Sequence, residues 1–416
     1  MGKQVTIIGA GVIGLCCAYY LQKKGHDVLV IDRGDITSGT SFGNAGYVSP
    51  SHFIPLASPG IISKGLRWMF SSSSPFYIKP RLNADLIRWG LRFWRNASQK
   101  TMERNIPPLV HILHLSRELM SDLKAELGNH FRMTELGCFM LFKNPSTEKH
   151  ELELARQAGE LGIETKILTS QQVQEMEPDV EVNIKGAVLY PFDCHLHPGD
   201  FMRTLKNHLE SAGVKFRLRA EVNDFDFSGD KIRSVVAGGE NFNCDELVLS
   251  AGSWMPQLTK KLGIPLLMQA GKGYSITFEN IKKNLRYPAI LVDDRVAMTP
   301  MGGDLRMGGT MEISGINDRI LIKRAQAIFN ASRNYYPRLQ VEFPSRNRIW
   351  SGLRPLSPDG LPYIGRHAKF KNLTLAGGHA MLGLSLAAGT GKLVEEIISA
   401  QKISMDITAF DVGRYS

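Results

Sequence analysis

The stretch VTIIGAGVIGLCCAYYL, residues 5–21, interrupts an apolar run with glycines at 9, 11 and 14, and DVLVID (27–32) follows as a second run that ends in an acid. In a strand–turn–helix–strand unit such glycines permit the tight turn, the approach of a pyrophosphate and close helix packing. The helix N-terminus attracts phosphate, and the acid can accept hydrogen bonds from a ribose. The pattern therefore predicts an α/β dinucleotide site, which we expect to be formed by Ile8, Gly9, Ala10, Gly11, Val12, Ile13, Gly14, Asp32 and Arg33. It does not distinguish FAD from a nicotinamide.

The composition indicates a globular chain of more than one domain. Its 416 residues, 43% of them hydrophobic and 22% charged, exceed what one compact core normally holds. The five cysteines lack CxxC spacing, so neither a disulfide framework nor a zinc site is predicted. We expect a cytoplasmic protein without a bound metal. The apolar run at 5–21 is shorter than a membrane span, and its glycines suit the turn described above.

A basic segment runs from Lys64 to Arg104. It holds nine Lys or Arg residues against two acidic ones, a balance of +7 in a chain of net charge +10. Asn83 is placed to cap a helix within it. One apolar face of that helix would consist of Leu86, Ile87, Gly90, Leu91 and Trp94. Two interpretations are open: this face packs on a core with the arginines exposed, or residues 59–104 form a patch for a membrane surface or a partner.

Strand-like and helical stretches alternate along the rest of the chain. Strands are predicted at GCFMLF (137–142), GAVLYP (186–191), GYSITF (273–278) and AILVDD (289–294). Between them lie a helix at about 198–211 and further strands up to ELVLSAGSW (246–254). Because these signals are interleaved, we expect two domains that share the chain by crossing over repeatedly.

The Gly- and Pro-rich apolar stretch IWSGLRPLSPDGLPYIG (349–365) is expected to form a loop, and it contains a single arginine, Arg354. Arginine cannot lose its proton in a protein, so its burial calls for an anionic partner. That partner is either a carboxylate of the chain, such as Asp359, or one that arrives from outside. The following stretch, residues 372–398, reads as another strand, glycine-rich turn and helix, whose N-terminus would attract negative charge.

Seven motifs in the same order resemble those of the FAD-dependent oxidoreductases of the D-amino acid oxidase superfamily. They are IIGAGVIG, TSFGNAGYVSPS, PGIISKGLRWMF with SPFYIKP, LVLSAGSW, GKGYSIT, WSGLRPLSPDGLPYIG and GGHAMLGLSLAAGTGKL. The chain looks most like the bacterial D-amino acid dehydrogenase (small subunit) and D-hydroxyproline dehydrogenase branch, and it is also similar to glycine oxidase. The resemblance covers essentially the whole sequence.

The resemblance implies an α/β fold (α+β overall), with a glutathione-reductase-like Rossmann FAD domain interleaved with an antiparallel-sheet substrate domain. The FAD domain would comprise residues 1–58, 143–184, 195–256 and 340–416. The substrate domain would comprise residues 59–142, 185–194 and 257–339.

The resemblance also implies FAD, which we expect to be noncovalent because no cysteine follows Cys244. Further cofactor contacts would come from Gly43, Asn44, Ala45, Gly46, Val222, Ala251, Gly252, Trp254, Gly378, Met381, Leu382, Gly383, Leu384 and Ser385. In related oxidases the arginine at the position of Arg354 binds the substrate carboxylate, so the expected catalytic set is Arg354, Tyr274 and His379. Glycine oxidase carries a second arginine where this chain has Met381.

The expected reaction is oxidative deamination of a D-amino acid, with D-proline and 4-hydroxy-D-proline among the candidates. Hydride transfer to flavin would give an imino acid and then a 2-oxo acid, and the electrons would pass to a quinone or another acceptor. Residues 59–104 would contact the inner face of the cytoplasmic membrane peripherally; no nucleic acid partner is expected. The alternatives are an oxygen-using oxidase of the glycine oxidase type, a superfamily flavoprotein acting on a phosphate-bearing or tRNA substrate, and a flavoprotein without turnover.

Overall fold

A computed structural model describes residues 2–37, 39–60 and 76–415, so most of the motif PGIISKGLRWMF lies outside the described residues. In chain order the helices are α1 (Val12–Lys23), α2 (Ala84–Asn96), α3 (Gln99–Leu127), α4 (Pro145–Glu160), α5 (Ser170–Met176), α6 (Pro198–Ser211), α7 (Met255–Lys261), α8 (Ile322–Tyr335) and α9 (Ala387–Ile398).

The strands follow the same numbering along the chain. They are β1 (Gln4–Ile8), β2 (Asp27–Ile31), β3 (Tyr47–Val48), β4 (Phe76–Ile78), β5 (Cys138–Phe142), β6 (Lys166–Thr169), β7 (Gly186–Tyr190), β8 (Cys194–His195), β9 (Lys215–Arg217), β10 (Val222–Ser228), β11 (Lys231–Ala237), β12 (Glu240–Asn243), β13 (Glu246–Leu249), β14 (Gln269–Phe278), β15 (Ala289–Leu291), β16 (Val296–Met301), β17 (Asp304–Ile313), β18 (Ile349–Leu356), β19 (Tyr363–Arg366) and β20 (Leu373–Gly377).

The first sheet has six strands in the order β19-β20-β13-β1-β2-β9. All neighbouring pairs are parallel except β19 with β20. Its central strands β1, β13 and β20 are almost wholly buried because both faces of the sheet are covered. Helices α1 and α9 pack together on one face, and strands β10 to β12 cover the other. This is the Rossmann-type sheet that the N-terminal glycine pattern predicted.

A second, mostly antiparallel sheet has the strand order β18-β14-β17-β16-β15-β5-β7-β6, with β4 paired to β17. Helix α8 contacts β14, β16 and β17 on one face. On the other face, Ser275 and Thr299 donate hydrogen bonds to the carbonyls of Gly43 and Ala45. That face therefore lies against the loop that leads from the Rossmann unit.

Some segments pair or pack differently from the expected domain division. Strand β6 lies in the range 143–184 and β18 in the range 340–416, yet both belong to the second sheet. Helix α3, expected in the substrate domain, instead packs on α9 and α6 beside the first sheet. These differences arise because the segments pair or pack with partners that are distant in sequence. The exact domain ranges remain a prediction.

Helix α2 presents a different face from the expected one. Asn83 caps it as predicted, by accepting a hydrogen bond from the Leu86 N–H group. However, Trp89 is its buried residue, whereas Ile87, Leu91 and Trp94 are 53%, 54% and 63% exposed. Of the two interpretations of this face, packing on a core is therefore wrong for these three residues, and the membrane or partner patch stays a prediction.

Candidate active site

The N-terminal turn has the geometry of a dinucleotide site. Gly9 has a φ angle of +112°, and a Cβ at Gly14 would lie 1.8 Å from the Gly9 carbonyl oxygen, so other residues do not fit at either position. The first turn of α1 contains no acidic residue, and its N-cap has no side-chain hydrogen bond. Asp32 accepts hydrogen bonds of 2.7 Å from the Ala10 and Gly34 N–H groups, which holds its carboxylate beside the turn.

One cavity of about 630 Å³ joins this turn to Arg354. All of the expected cofactor-contact residues line it except Gly14, Gly46 and Gly378. These three instead lie against backbone or an aromatic ring, and an added Cβ would come within 2.8 Å of the Gly9 carbonyl, the Leu196 carbonyl and Tyr363 respectively. They shape the turns behind the cavity wall.

The far end of the cavity suits an adenosine. The guanidinium of Arg33 lies 3.8 Å from the ring centre of Trp254, and both residues line the cavity together with Val222. The phosphates would then meet the N-terminus of α1, and the flavin would extend along the 43–46 loop towards Arg354. The residues present therefore fit FAD.

Arg354 lies at the other end of the cavity, on strand β18, so the expectation that it lies in a loop is wrong. It pairs in register with Gly271 of β14, and a Cβ at Gly273 would lie 2.3 Å from its Nη2 atom, so the guanidinium crosses over Gly273. Its Nη1 atom donates a 2.5 Å hydrogen bond to the Thr310 carbonyl. Burial lowers the pKa of Arg354 to about 10, which leaves it a cation at neutral pH.

The alternative that Arg354 pairs with Asp359 is wrong. Asp359 is held by Arg414, whose Nε and Nη2 atoms lie 2.8 and 3.1 Å from its two oxygens. No carboxylate within residues 2–37, 39–60 or 76–415 forms an ion pair with Arg354. A partly buried cation that lines a cavity without an ion-pair partner is able to bind an external anion.

The other two expected catalytic residues also line the cavity, but their side chains are hydrogen-bonded to other residues of the protein. Tyr274 follows Gly273 in β14, so strand alternation turns it to the opposite face, where its hydroxyl donates to Glu312 at 2.8 Å. His379 lies 3.0 Å from the Thr390 hydroxyl, and burial lowers its pKa to about 3, so it is neutral. The Tyr274 side chain thus packs beside Glu312, and His379 anchors the turn before α9; a catalytic role for either residue stays a prediction.

Sequence reasoning missed several cavity residues. Gly273 and Thr310 position Arg354, but that role depends on the register of three strands. His52 lines the same cavity and directly follows the quoted TSFGNAGYVSPS motif. Its Nδ1 atom is hydrogen-bonded to Ser51, which in turn contacts the buried carboxylate of Asp193. The clue was a histidine one residue beyond a cofactor-loop motif.

Comparison with protein families agrees with this geometry. The model of the FAD dependent oxidoreductase family matches residues 4–397. The chain belongs to that family. It is therefore an FAD-binding oxidoreductase, as its motifs predicted.

Curated relatives of this oxidoreductase match it over its full length. The D-amino acid dehydrogenase of Granulibacter bethesdensis is 32% identical, with 99% of this chain and 100% of the relative covered. The D-amino acid dehydrogenase of Helicobacter pylori is 33% identical, with 99% and 98% covered. The predicted relationship to the D-amino acid dehydrogenases is confirmed.

Solved structures show the same fold. Glycine oxidase from Geobacillus kaustophilus is 23% identical, with a TM-score of 0.80 and 99% of each chain covered. L-Proline dehydrogenase from P. horikoshii is 18% identical, with a TM-score of 0.78 and 100% of this chain and 98% of that chain covered. The predicted fold class is confirmed.

Two further properties concern the described part of this oxidoreductase. No helix there is long and apolar enough to span a membrane. Nor does that part contain a group of three or more His, Cys, Asp or Glu residues able to hold a metal ion.

Proposed function

We propose that this oxidoreductase oxidises D-amino acids, with Arg354 as the residue that binds the substrate α-carboxylate. The observation that carries the proposal is the partly buried guanidinium of Arg354, which lines the same cavity as the expected FAD contacts without an ion-pair partner among the described residues. The names of the full-length relatives support the D-amino acid as the substrate class.

The chain would act mainly by positioning. The guanidinium fork can hold a carboxylate by two parallel hydrogen bonds, while the bond to Thr310 and the contact with Gly273 fix its direction. When bound, noncovalent FAD supplies the acceptor for the hydride on the α-carbon. The apolar side chains of Leu56, Phe76 and Met311 line the cavity and would exclude water around the substrate.

The substrate side chain and the electron acceptor are further parts of the proposal. D-Proline and 4-hydroxy-D-proline are the amino acids that we would test first. We place the electron acceptor in the membrane, as a quinone. The support is helix α2, on which Ile87, Leu91 and Trp94 form an exposed apolar stripe while Arg88, Arg92 and Arg95 lie exposed about 100° around the helix. An apolar stripe beside arginines suits an anionic bilayer surface.

An anaerobic panel of D- and L-amino acids tests the proposed function. The holoenzyme is mixed with each amino acid, and loss of flavin absorbance reports reduction. We expect D-amino acids to bleach the flavin and their L-enantiomers to leave it oxidised. Reduction by L-amino acids alone, or by none of the panel, would contradict the proposal. Rapid hydrogen peroxide formation under air would contradict the quinone and favour an oxidase.

A further inference from the structure

A chain of three polar side chains leads from the cavity into the protein. The Ser51 hydroxyl oxygen lies 3.1 Å from His52 Nδ1 and 2.5 Å from Asp193 Oδ2. The Ser51 N–H group donates a further hydrogen bond of 3.0 Å to Asp193 Oδ1. Ser51 is 8% exposed and Asp193 is 1% exposed, so the inner part of the chain is shielded from solvent.

The fold holds these three hydrogen-bonded side chains in place. Strands β3 and β8 pair with Val48 opposite Cys194, which brings the 49–52 loop beside Asp193. The His52 N–H group donates to the Ser49 carbonyl at 3.1 Å, which closes the loop into a turn. The His52 ring lines the same cavity as Arg354 and keeps partial exposure there. No described residue is hydrogen-bonded to its Nε2 atom, the ring nitrogen left for a ligand.

The charges suit movement of a proton inward. Burial lowers the pKa of His52 to about 4, so a cation on the ring is unfavourable. Burial raises the pKa of Asp193 to about 7, although the Ser51 hydrogen bonds and Arg117 of α3 oppose this rise. The other titratable groups around Asp193 are the neutral side chains of Cys138, Tyr190 and Cys194. A proton received at the cavity would therefore rest on Asp193.

The reaction needs such an acceptor. A free amino acid carries an ammonium group at neutral pH, and an ammonium nitrogen has no lone pair to form the C=N bond as the hydride leaves. One proton must be removed from the nitrogen before or during hydride loss. The raised pKa of Asp193 makes its carboxylate a stronger base than the His52 imidazole, so a proton taken up by His52 would pass on to Asp193.

We propose that His52 removes the ammonium proton of the bound substrate and that Ser51 passes it on to Asp193. The substrate N–H proton moves to His52 Nε2, the Nδ1 proton moves to the Ser51 oxygen, and the Ser51 hydroxyl proton moves to Asp193 Oδ2. The balance is one neutral amine, one neutral imidazole and one protonated carboxyl. This inference rests on the proposed function, because it takes an amino acid as the substrate. It concerns only the proton on the substrate's amino group.

The test is the pH dependence of flavin reduction in His52→Gln and Ser51→Ala, with Ser51→Thr as the matched control that keeps the hydroxyl. The wild type should retain kcat/KM down to about pH 7. Without the relay, only amino acid that is already neutral can react, so kcat/KM should fall tenfold per pH unit. We expect a loss of about 100-fold at pH 8, recovery near pH 10, and a wild-type profile for Ser51→Thr. Imidazole should partly restore His52→Ala at pH 8.

Two other results would contradict the proposed relay. A loss in His52→Gln and Ser51→Ala that is the same at pH 8 and pH 10 would mean that the residues only support the loop. A profile unchanged from the wild type would exclude the relay. Flavin absorbance after gel filtration checks that each variant retains FAD. If no D-amino acid reduces the wild type, the proposed function fails separately, and the profiles are measured with whichever amine in the panel does.

Discussion

The guanidinium of Arg354 lies directly over the backbone of Gly273 on the neighbouring strand, where an added Cβ would approach Nη2 to 2.3 Å. The two residues are held by the register of β14 and β18, in which Gly271 is opposite Arg354. The direction of the cation therefore depends on the absence of one side chain. This relationship allows the role of Arg354 to be tested without removing its charge.

We expect Gly273→Ala to raise KM for the amino acid about 10-fold or more, because the methyl group displaces the guanidinium from its place over β14. FAD binding should persist, since Arg354 is far along the cavity from the N-terminal turn. Steady-state kinetics and flavin content measure both. Gly303→Ala, in the turn between β16 and β17, is the control, because the nearest neighbour would be 3.8 Å from the new Cβ. An unchanged KM in Gly273→Ala would contradict the assigned position of Arg354.

Removal of the cation itself should have a larger effect. In Arg354→Leu the substrate carboxylate has no cation to bind. We expect kcat/KM to fall about 100-fold, which corresponds to a loss of about 3 kcal/mol of binding free energy. The unfolding temperature should not fall, because no carboxylate of the described residues depends on this arginine. Arg348→Leu, at an exposed position just before β18, is the matched control. A large loss of stability with unchanged kinetics would show that Arg354 is structural.

Local chemistry made part of this site predictable from sequence. The glycines at 9 and 14 are needed by a short turn, and their spacing together with the flanking strands, the helix and the terminal acid indicated the cofactor unit. Arg354 was conspicuous because a cation in an apolar loop has few structural uses. Both inferences required no knowledge of distant contacts.

The features that the sequence did not predict depend on contacts between distant residues. The face on which Tyr274 lies depends on strand pairing, and the side of α2 that is buried depends on which neighbour it meets. The Ser51–Asp193 hydrogen bond joins residues 142 positions apart in sequence. Periodicity shows that a helix has an apolar face but not whether anything covers it.

The buried Asp193 should make stability depend on pH. Its pKa is raised to about 7 by burial, so its contribution to stability is present in acid and is lost as pH rises through 7. Asp193→Asn cannot ionise and can still accept from the Ser51 N–H group. We expect it to unfold about 2 °C or more above the wild type at pH 8 and at the same temperature at pH 4.

Thermal unfolding with FAD bound, followed by flavin fluorescence at both pH values, measures this difference. The exposed Asp318→Asn change serves as the control and should be neutral throughout. A lower unfolding temperature for Asp193→Asn at pH 8 would mean that the ionised carboxylate stabilises the loop.

The exposed stripe on α2 should bind anionic lipid. Trp94 is 63% exposed, and it shares its face with Leu91 while the arginines of the helix lie to one side. We expect the holoenzyme to sediment with vesicles that contain anionic lipid. We expect the double change Trp94→Glu and Leu91→Glu to abolish this binding without loss of FAD.

Ile167→Glu is the matched control, because Ile167 is also 63% exposed but lies on β6. Equal loss in the control, or binding to neutral vesicles alone, would show that the stripe does not recognise an anionic surface. Because each arginine near such a surface contributes about 1 kcal/mol, binding should also weaken as salt is raised.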